Sequence, residues 1–202
     1  MLSVITEITA SEREAKRKWD GNQVRQVLQG DVKAFWELME SYYPVFYHIA
    51  LGYLRQPELA EDTLQEGVMA IYQGLPGLKD PDHFGSWAYT VIRRKAIDAS
   101  NRARKEKRLE SQGDPTITRA LRSFSGGNSI QSDPVKQAQY QQLWDAVNRL
   151  GAKYRDPIIL HYFHGYTLEE IGQTLGLTAN AVAMRLRRGR EALRQEMEGK
   201  ES

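Results

Sequence analysis

The chain has 202 residues, no cysteine, and 28 basic against 26 acidic side chains, for a formal net charge of +2. The lack of thiols excludes a disulfide framework and thiolate metal sites, and the near balance of charge means that any nucleic-acid argument must rest on where the charge sits. Met1 to Glu14 lack the basic start and apolar stretch of a secretion signal, and no apolar run reaches bilayer length, so a cytoplasmic setting without membrane insertion is expected.

In chain order, residues 1–22 read as a polar N-terminal extension, frayed or only loosely docked. Residues 23–108 then carry apolar positions at helical spacing. Phe35, Leu38, Met39, Tyr42 and Tyr43 keep a three-four rhythm, and Leu59, Thr63, Val68, Ile71 and Tyr72 keep it less cleanly. Pro44, Pro57, Pro76 and Pro81 mark helix edges or kinks, which predicts about four helices here. Residues 109–134 are rich in Ser, Gly, Gln and Asp and too poor in large apolar side chains to offset their ordering entropy, so they read as a flexible linker. Helical periodicity returns over residues 135–197, where about four more helices are expected. Nothing argues for strands. The fold class is all-α: two small helical domains joined by a flexible linker.

The sharpest pattern lies near the C-terminus. Asp156-Pro157 looks like an N-cap followed by proline at the first helical position, opening a helix that ends at Gly165. Thr167-Leu-Glu-Glu170 reads as a capping box: the Thr167 hydroxyl accepts from the backbone at Glu170 while the Glu170 carboxylate reaches back. Leu168, Ile171 and Leu175 form the inner face of the short helix that follows, and Gly176 supplies the left-handed turn that ends it. Leu177 points inward. Thr178 caps a longer helix held by Val182, Leu186 and Leu193, with Arg185, Arg187, Arg188, Arg190 and Arg194 facing away. A surface helix with solvated arginines would explain the basic residues alone. The two caps and the glycine turn at these spacings favour a helix-turn-helix whose second helix enters a DNA major groove. His161 and His164 stand three apart with no cysteine or acidic cluster joining them, so a structural or surface role is expected rather than metal ligation.

Two clusters in the first half call for a partner. Glu58, Glu61, Asp62 and Glu66, with Gln65, crowd a helix start. Trp87, Tyr89, Arg93, Arg94 and Lys95 precede a basic run from Asn101 to Arg108. Cations beside aromatic faces suit single-stranded DNA, because bases stack on rings while phosphates meet Lys and Arg. The plainer readings are a helix N-terminus stabilised by its dipole, and core packing for Trp87 and Tyr89.

Together these residues resemble the extracytoplasmic-function (ECF) sigma factors of the sigma-70 family. Gly30-Asp-Val-Lys-Ala-Phe35 with Tyr42-Tyr-Pro44 is similar to the opening of their region two. Ala60-Glu-Asp62 with Gln65-Glu66 is similar to their polymerase-binding helix, and Phe84, Trp87, Tyr89 and Ile97-Asp98 to their promoter-melting segment. Leu150, Tyr166 to Ile171, and Ala181 to Leu193 resemble region four. The chain departs from the family at Gly67, usually bulky and apolar, at Val68, usually a large aromatic, and at Arg94, commonly Asn.

The resemblance implies a non-enzymatic factor, without catalytic residues, cofactor or metal, that binds core RNA polymerase and directs promoter-specific initiation. Glu61, Asp62, Gln65 and Glu66 would meet the beta-prime clamp helices, and region four the beta flap. Lys79, Phe84, Trp87, Tyr89, Arg93, Arg94 and Arg102 would meet the −10 element as single strand. Thr178, Ala183, Met184, Arg185, Arg187, Arg188 and Arg190 would meet the −35 element as duplex. An anti-sigma factor is a further implied partner. The alternatives are a stand-alone helix-turn-helix regulator and a small helical hydrolase; the latter has only four scattered histidines and carboxylates that share no helical face with them.

Overall fold

A computed structural model describes the backbone of residues 10–110 and 134–198, with side chains over 11–106 and 141–197. Residues 1–9 and nearly all of the expected linker at 109–134 lie outside the described residues. Within them the fold is helical throughout, without a strand.

Helix α1 runs over Ala10–Leu28. For residues 10–22 this corrects the expectation of a frayed extension: they are helical, and Asp20 and Gly21 are buried. The polar composition hid the docking because α1 is held largely by polar contacts, among them the Asp20 carboxylate accepting from the Tyr42 hydroxyl at 2.5 Å. Helix α2, Val32–Leu54, starts where the Asp31 carboxylate accepts from the backbone of Lys33 and Ala34. It ends on Arg55 in the left-handed conformation. Pro44 lies inside α2, not at an edge. Helix α3, Pro57–Gly74, has proline in its first turn, where no N–H is needed. Two short 3₁₀ turns, Leu75–Gly77 and Pro81–His83, lead into α4, Phe84–Glu110.

The second half begins with α5, Pro134–Arg149, and α6, Ala152–Ile158, which runs on into a π-helical turn at Ile159–Phe163. Here too a sequence expectation is corrected. Gly151, not Asp156, precedes the helix, and Pro157 lies inside it. Asp156 is buried and accepts side-chain hydrogen bonds from the first half of the chain, so it is spent elsewhere. Helix α7, Leu168–Leu175, opens with the expected capping box and closes on Gly176 at φ 68°. Gly172 matters as well: a Cβ there would lie 2.6 Å from the Leu177 carbonyl oxygen, so the turn into α8, Ala179–Glu198, needs glycine.

The two halves are not separate globules. One cluster of buried side chains continues from Val24, Leu38, Phe46 and Ile49 into Trp144, Ile158, Leu160, Ile171 and Val182. Helix α2 is the common element, packing on α1, α3 and α4 and also on α5. His48 of α2 stacks on Trp144 of α5 with ring centroids 4.3 Å apart. Burying a side chain such as Ile158 or Leu160 stabilises by roughly 1.5–3 kcal/mol, so this shared core is a substantial fraction of a domain's net stability.

Candidate functional site

The exposed face of α8 is built as its sequence implies. The Thr178 hydroxyl accepts from the Ala181 backbone at 3.2 Å, which fixes the helix start. Val182, Leu186 and Leu193 are buried. That orientation leaves Ala183, Met184, Arg187, Arg188 and Arg190 exposed, with Arg185 half-buried beside them and Thr178 open at the N-terminus. Arg188 also reaches the Tyr154 hydroxyl, which Lys153 and then Arg188 shift to a lower pKa. The result is a surface with two apolar groups at its head and cations along its length.

On α3, Asp62, Gln65 and Glu66 are exposed at helical spacing, and Glu61 is half-buried beside them. The Tyr43 hydroxyl donates to Glu61. Glu66 faces α4, with the Lys95 ammonium at 3.5 Å and the Arg102 guanidinium at 3.9 Å. A residue read as a polymerase contact and one read as a DNA contact are thus neighbours. Gly67 now has a physical reason: a Cβ on it would sit 2.4 Å from Cδ1 of Ile92, so the departure from the family pattern lets α3 and α4 approach closely.

The proposed −10 set divides. Lys79, Arg94 and Arg102 are exposed, and Trp87 is half-buried. A Cβ on Gly74 would lie 2.9 Å from the Trp87 ring, so that indole rests against the end of α3. Phe84 and Tyr89 are fully buried, which corrects their reading as stacking platforms: a ring enclosed by protein offers no face to a base. Their spacing put them on the inner side of α4, and the core needed their volume. Arg93 is committed to the second half: its Nε donates to Oδ2 of Asp156 at 2.9 Å and contacts the Tyr53 hydroxyl at 3.0 Å.

Sequence reasoning missed the residues around that pair. Tyr53 donates to Asp156 at 2.7 Å, and the buried Arg155 donates from Nη1 to the Gly52 carbonyl at 2.6 Å while its guanidinium lies over the Tyr53 ring. On the other side, His164 is buried and stacks on Tyr42 with centroids 5.4 Å apart. Burial, then the Lys16 charge, lowers its pKa to about 3. Burial lowers that of His48 to about 4, against the pull of Asp145. Both rings are neutral at ordinary pH. Among the described residues no group of three or more His, Asp or Glu is placed to hold a metal ion.

Comparisons with known proteins match these two surfaces to one family. Residues 38–108 match the family model of Sigma-70 region 2, and residues 140–193 match that of Sigma-70 region 4. SigV of Bacillus subtilis, an RNA polymerase sigma factor, is 30% identical over 149 residues, which are 74% of this chain and 82% of SigV. The chain is a sigma factor of the sigma-70 family. It falls in the ECF group: the ECF sigma factor SigW of Bacillus subtilis is 26% identical over 177 residues, covering 87% of this chain and 95% of SigW. Like other sigma factors it directs RNA polymerase to promoters, and the stand-alone regulator is not favoured, because a region 2 precedes the helix-turn-helix. Two solved structures share its fold. CnrH, in complex with the cytosolic domain of CnrY, superposes with a TM-score of 0.59 at 19% identity, over 90% of this chain and 98% of CnrH. The sigma factor RpoE of Bartonella quintana, in complex with the anti-sigma factor NepR, gives 0.58 at 21% identity, over 83% of this chain and 98% of RpoE. No helix among the described residues of this sigma factor is long and apolar enough to cross a membrane.

Proposed function

We propose that this sigma factor acts in the cytoplasm through three surfaces and without catalytic chemistry. Glu61, Asp62, Gln65 and Glu66 on α3 dock on the beta-prime clamp helices. Lys79, Trp87, Arg93, Arg94 and Arg102 meet the −10 element as it opens, while Phe84 and Tyr89 set the position of α4 from inside. Unstacking a base costs a few kcal/mol, which the ring of Trp87 and the cations around it offset. The face of α8 reads the −35 element as duplex, and the same domain meets the beta flap. Ala183 and Met184 suit a thymine methyl, Arg187 and Arg188 suit base edges, and Thr178, Arg185 and Arg190 suit phosphates. An anti-sigma partner completes the proposal, by analogy with the NepR complex of RpoE.

The observation that carries this assignment is the exposed row of Asp62, Gln65 and Glu66 on a helix whose other face is buried in the region 2 core. The test is co-purification with core polymerase. Asp62→Lys combined with Glu66→Lys is expected to abolish retention and run-off transcription while leaving helical content intact. Retention equal to the wild type would remove α3 as the docking surface.

A further inference from the structure

Among the side chains assigned to base edges on α8, Ala183 and Met184 carry no hydrogen-bond donor, so polar readout falls to Arg187 and Arg188. An arginine side chain is long and rotamer-rich, and a bidentate grip on a guanine edge fixes it in one geometry. Discrimination at that base pair therefore depends on how far the guanidinium is already held in place before DNA arrives.

Arg188 has such a hold. Helix α6 lies against α8 at Gly189, where an added Cβ would come 3.1 Å from Cγ1 of Ile158 and 3.5 Å from Cβ of Tyr154. Ile158 is fully buried, and the Tyr154 backbone N–H donates to the Gly151 carbonyl at 2.9 Å, so both residues sit on a fixed stretch of helix. This close approach brings the Tyr154 side chain alongside α8, next to position 188. Its phenol oxygen accepts from Lys153 and from Arg188, and the Lys153 ammonium lies 4.7 Å from the ring centroid. Two cations at one oxygen favour the phenolate, and the Tyr154 pKa is lowered accordingly, by Lys153 first and then by Arg188.

The tether and a base contact are compatible. A guanidinium presents five N–H donors in a planar fork, and a guanine edge takes two of them. A third can stay on Tyr154 while the fork faces the groove. Every residue in the set lies within 140–193, the region 4 match, so the contact does not depend on where region 4 sits relative to region 2.

We propose that Tyr154 is a specificity-determining positioning residue for the −35 element: its hydroxyl holds the Arg188 guanidinium in the orientation that grips a guanine edge. The inference rests on the sigma-factor reading, with α8 in the major groove and Arg188 on a base. Tyr154 itself touches no base. Removing its hydroxyl leaves Arg188 charged and able to reach DNA, but lets it sample other rotamers, phosphate contacts among them, which carry no sequence information. The loss therefore falls on discrimination at one base pair rather than on binding as a whole.

The test is a promoter library randomised over the −35 element, transcribed by core polymerase with the full-length wild type, Tyr154→Phe, Arg188→Ala and the double variant. Phenylalanine keeps the ring against α8 and removes the hydroxyl alone. Tyr154→Phe is expected to lower preference about two- to tenfold, the range of one net hydrogen bond, at the same base pair that Arg188→Ala flattens. The other positions of the element should keep their preferences. In the double variant the tyrosine change is expected to add nothing, because the group it positions is gone. Unchanged preference in Tyr154→Phe, an equal loss on every −35 sequence, or a full additional loss in the double variant would overturn the positioning role. An Arg188→Ala variant that shifts every −35 sequence alike would strike the base-reading assignment of Arg188, and the proposal with it. The two failures are distinct: in the first Arg188→Ala still flattens one base pair, and in the second it does not.

Discussion

Arg93 and Asp156 stand sixty-three positions apart and form an ion pair at 2.9 Å across the seam between region 2 and region 4. Asp156 is 3% exposed, so its carboxylate depends on Arg93 and Tyr53 for compensation. A buried carboxylate that loses its partner destabilises by roughly 3–5 kcal/mol, which ties the two halves into one cooperative unit.

The first prediction follows from that seam. A site-specific protease sequence inserted between positions 111 and 133 is expected, once cut, to leave two fragments that elute together on size exclusion. The Asp156→Ala variant, cut in the same way, is expected to release them. Immediate separation of the wild-type fragments would show that the shared core around Trp144 and Ile158 does not hold them.

Stability should depend on pH through His48 and His164. Their folded pKa values, about 4 and about 3, lie below the unfolded value of about 6.5. A lowered histidine pKa gives stability that is full above pH 6.5 and is lost as pH falls toward the folded value, because only the unfolded chain takes up the protons. The slope is at most about 1.4 kcal/mol per pH unit for each ring. The thermal midpoint of the wild type minus that of His164→Phe, recorded from pH 8 to pH 4.5, should be flat above pH 7 and fall below pH 6.5. A difference that stays level throughout would place the charged ring in the folded state.

At Gly67 the close approach of α3 and α4 sets the cost of a side chain. Gly67→Ala is expected to destabilise by about 1–3 kcal/mol, because the new methyl overlaps Cδ1 of Ile92. Ile92→Val removes that atom, so the double variant should recover part of the loss in chemical denaturation. Additive losses would show that Ile92 is not what the new methyl displaces.

Arg188 and Arg185 should separate by role. An arginine on a guanine edge discriminates by about 1–3 kcal/mol, whereas a phosphate contact carries no sequence information. Arg188→Ala is expected to flatten preference at one −35 base pair. Arg185→Ala should weaken all −35 sequences alike and reduce the salt slope of binding by about one unit. A promoter library scored at two salt concentrations measures both. An equal shift on every −35 variant for Arg188→Ala would move that residue to the phosphate set.

Much of the candidate site was legible in the chain because its signals are local. The Thr167–Glu170 box, the turn at Gly176, the Thr178 cap and the inward row of Val182, Leu186 and Leu193 each depend on neighbours within a few residues. Helical period alone told the outward arginines from the inward aliphatics. Phe84 and Tyr89 share the inward face of α4, but their residue types misled, because an aromatic beside cations looks alike in sequence whether it faces DNA or a core.

What the sequence by itself determined is the all-helical class, the pair of regions in order, and the faces presented by α3 and α8. Only the tertiary structure decided that α1 is docked, that Asp156 is a buried acceptor rather than a cap, and that Arg93 is bound across the seam. The physical reason is range. Caps and helical faces are settled by groups one turn away, whereas Arg17 with Glu170, and Arg93 with Asp156, meet only after both halves have packed, and no local pattern marks which distant charge a side chain will find.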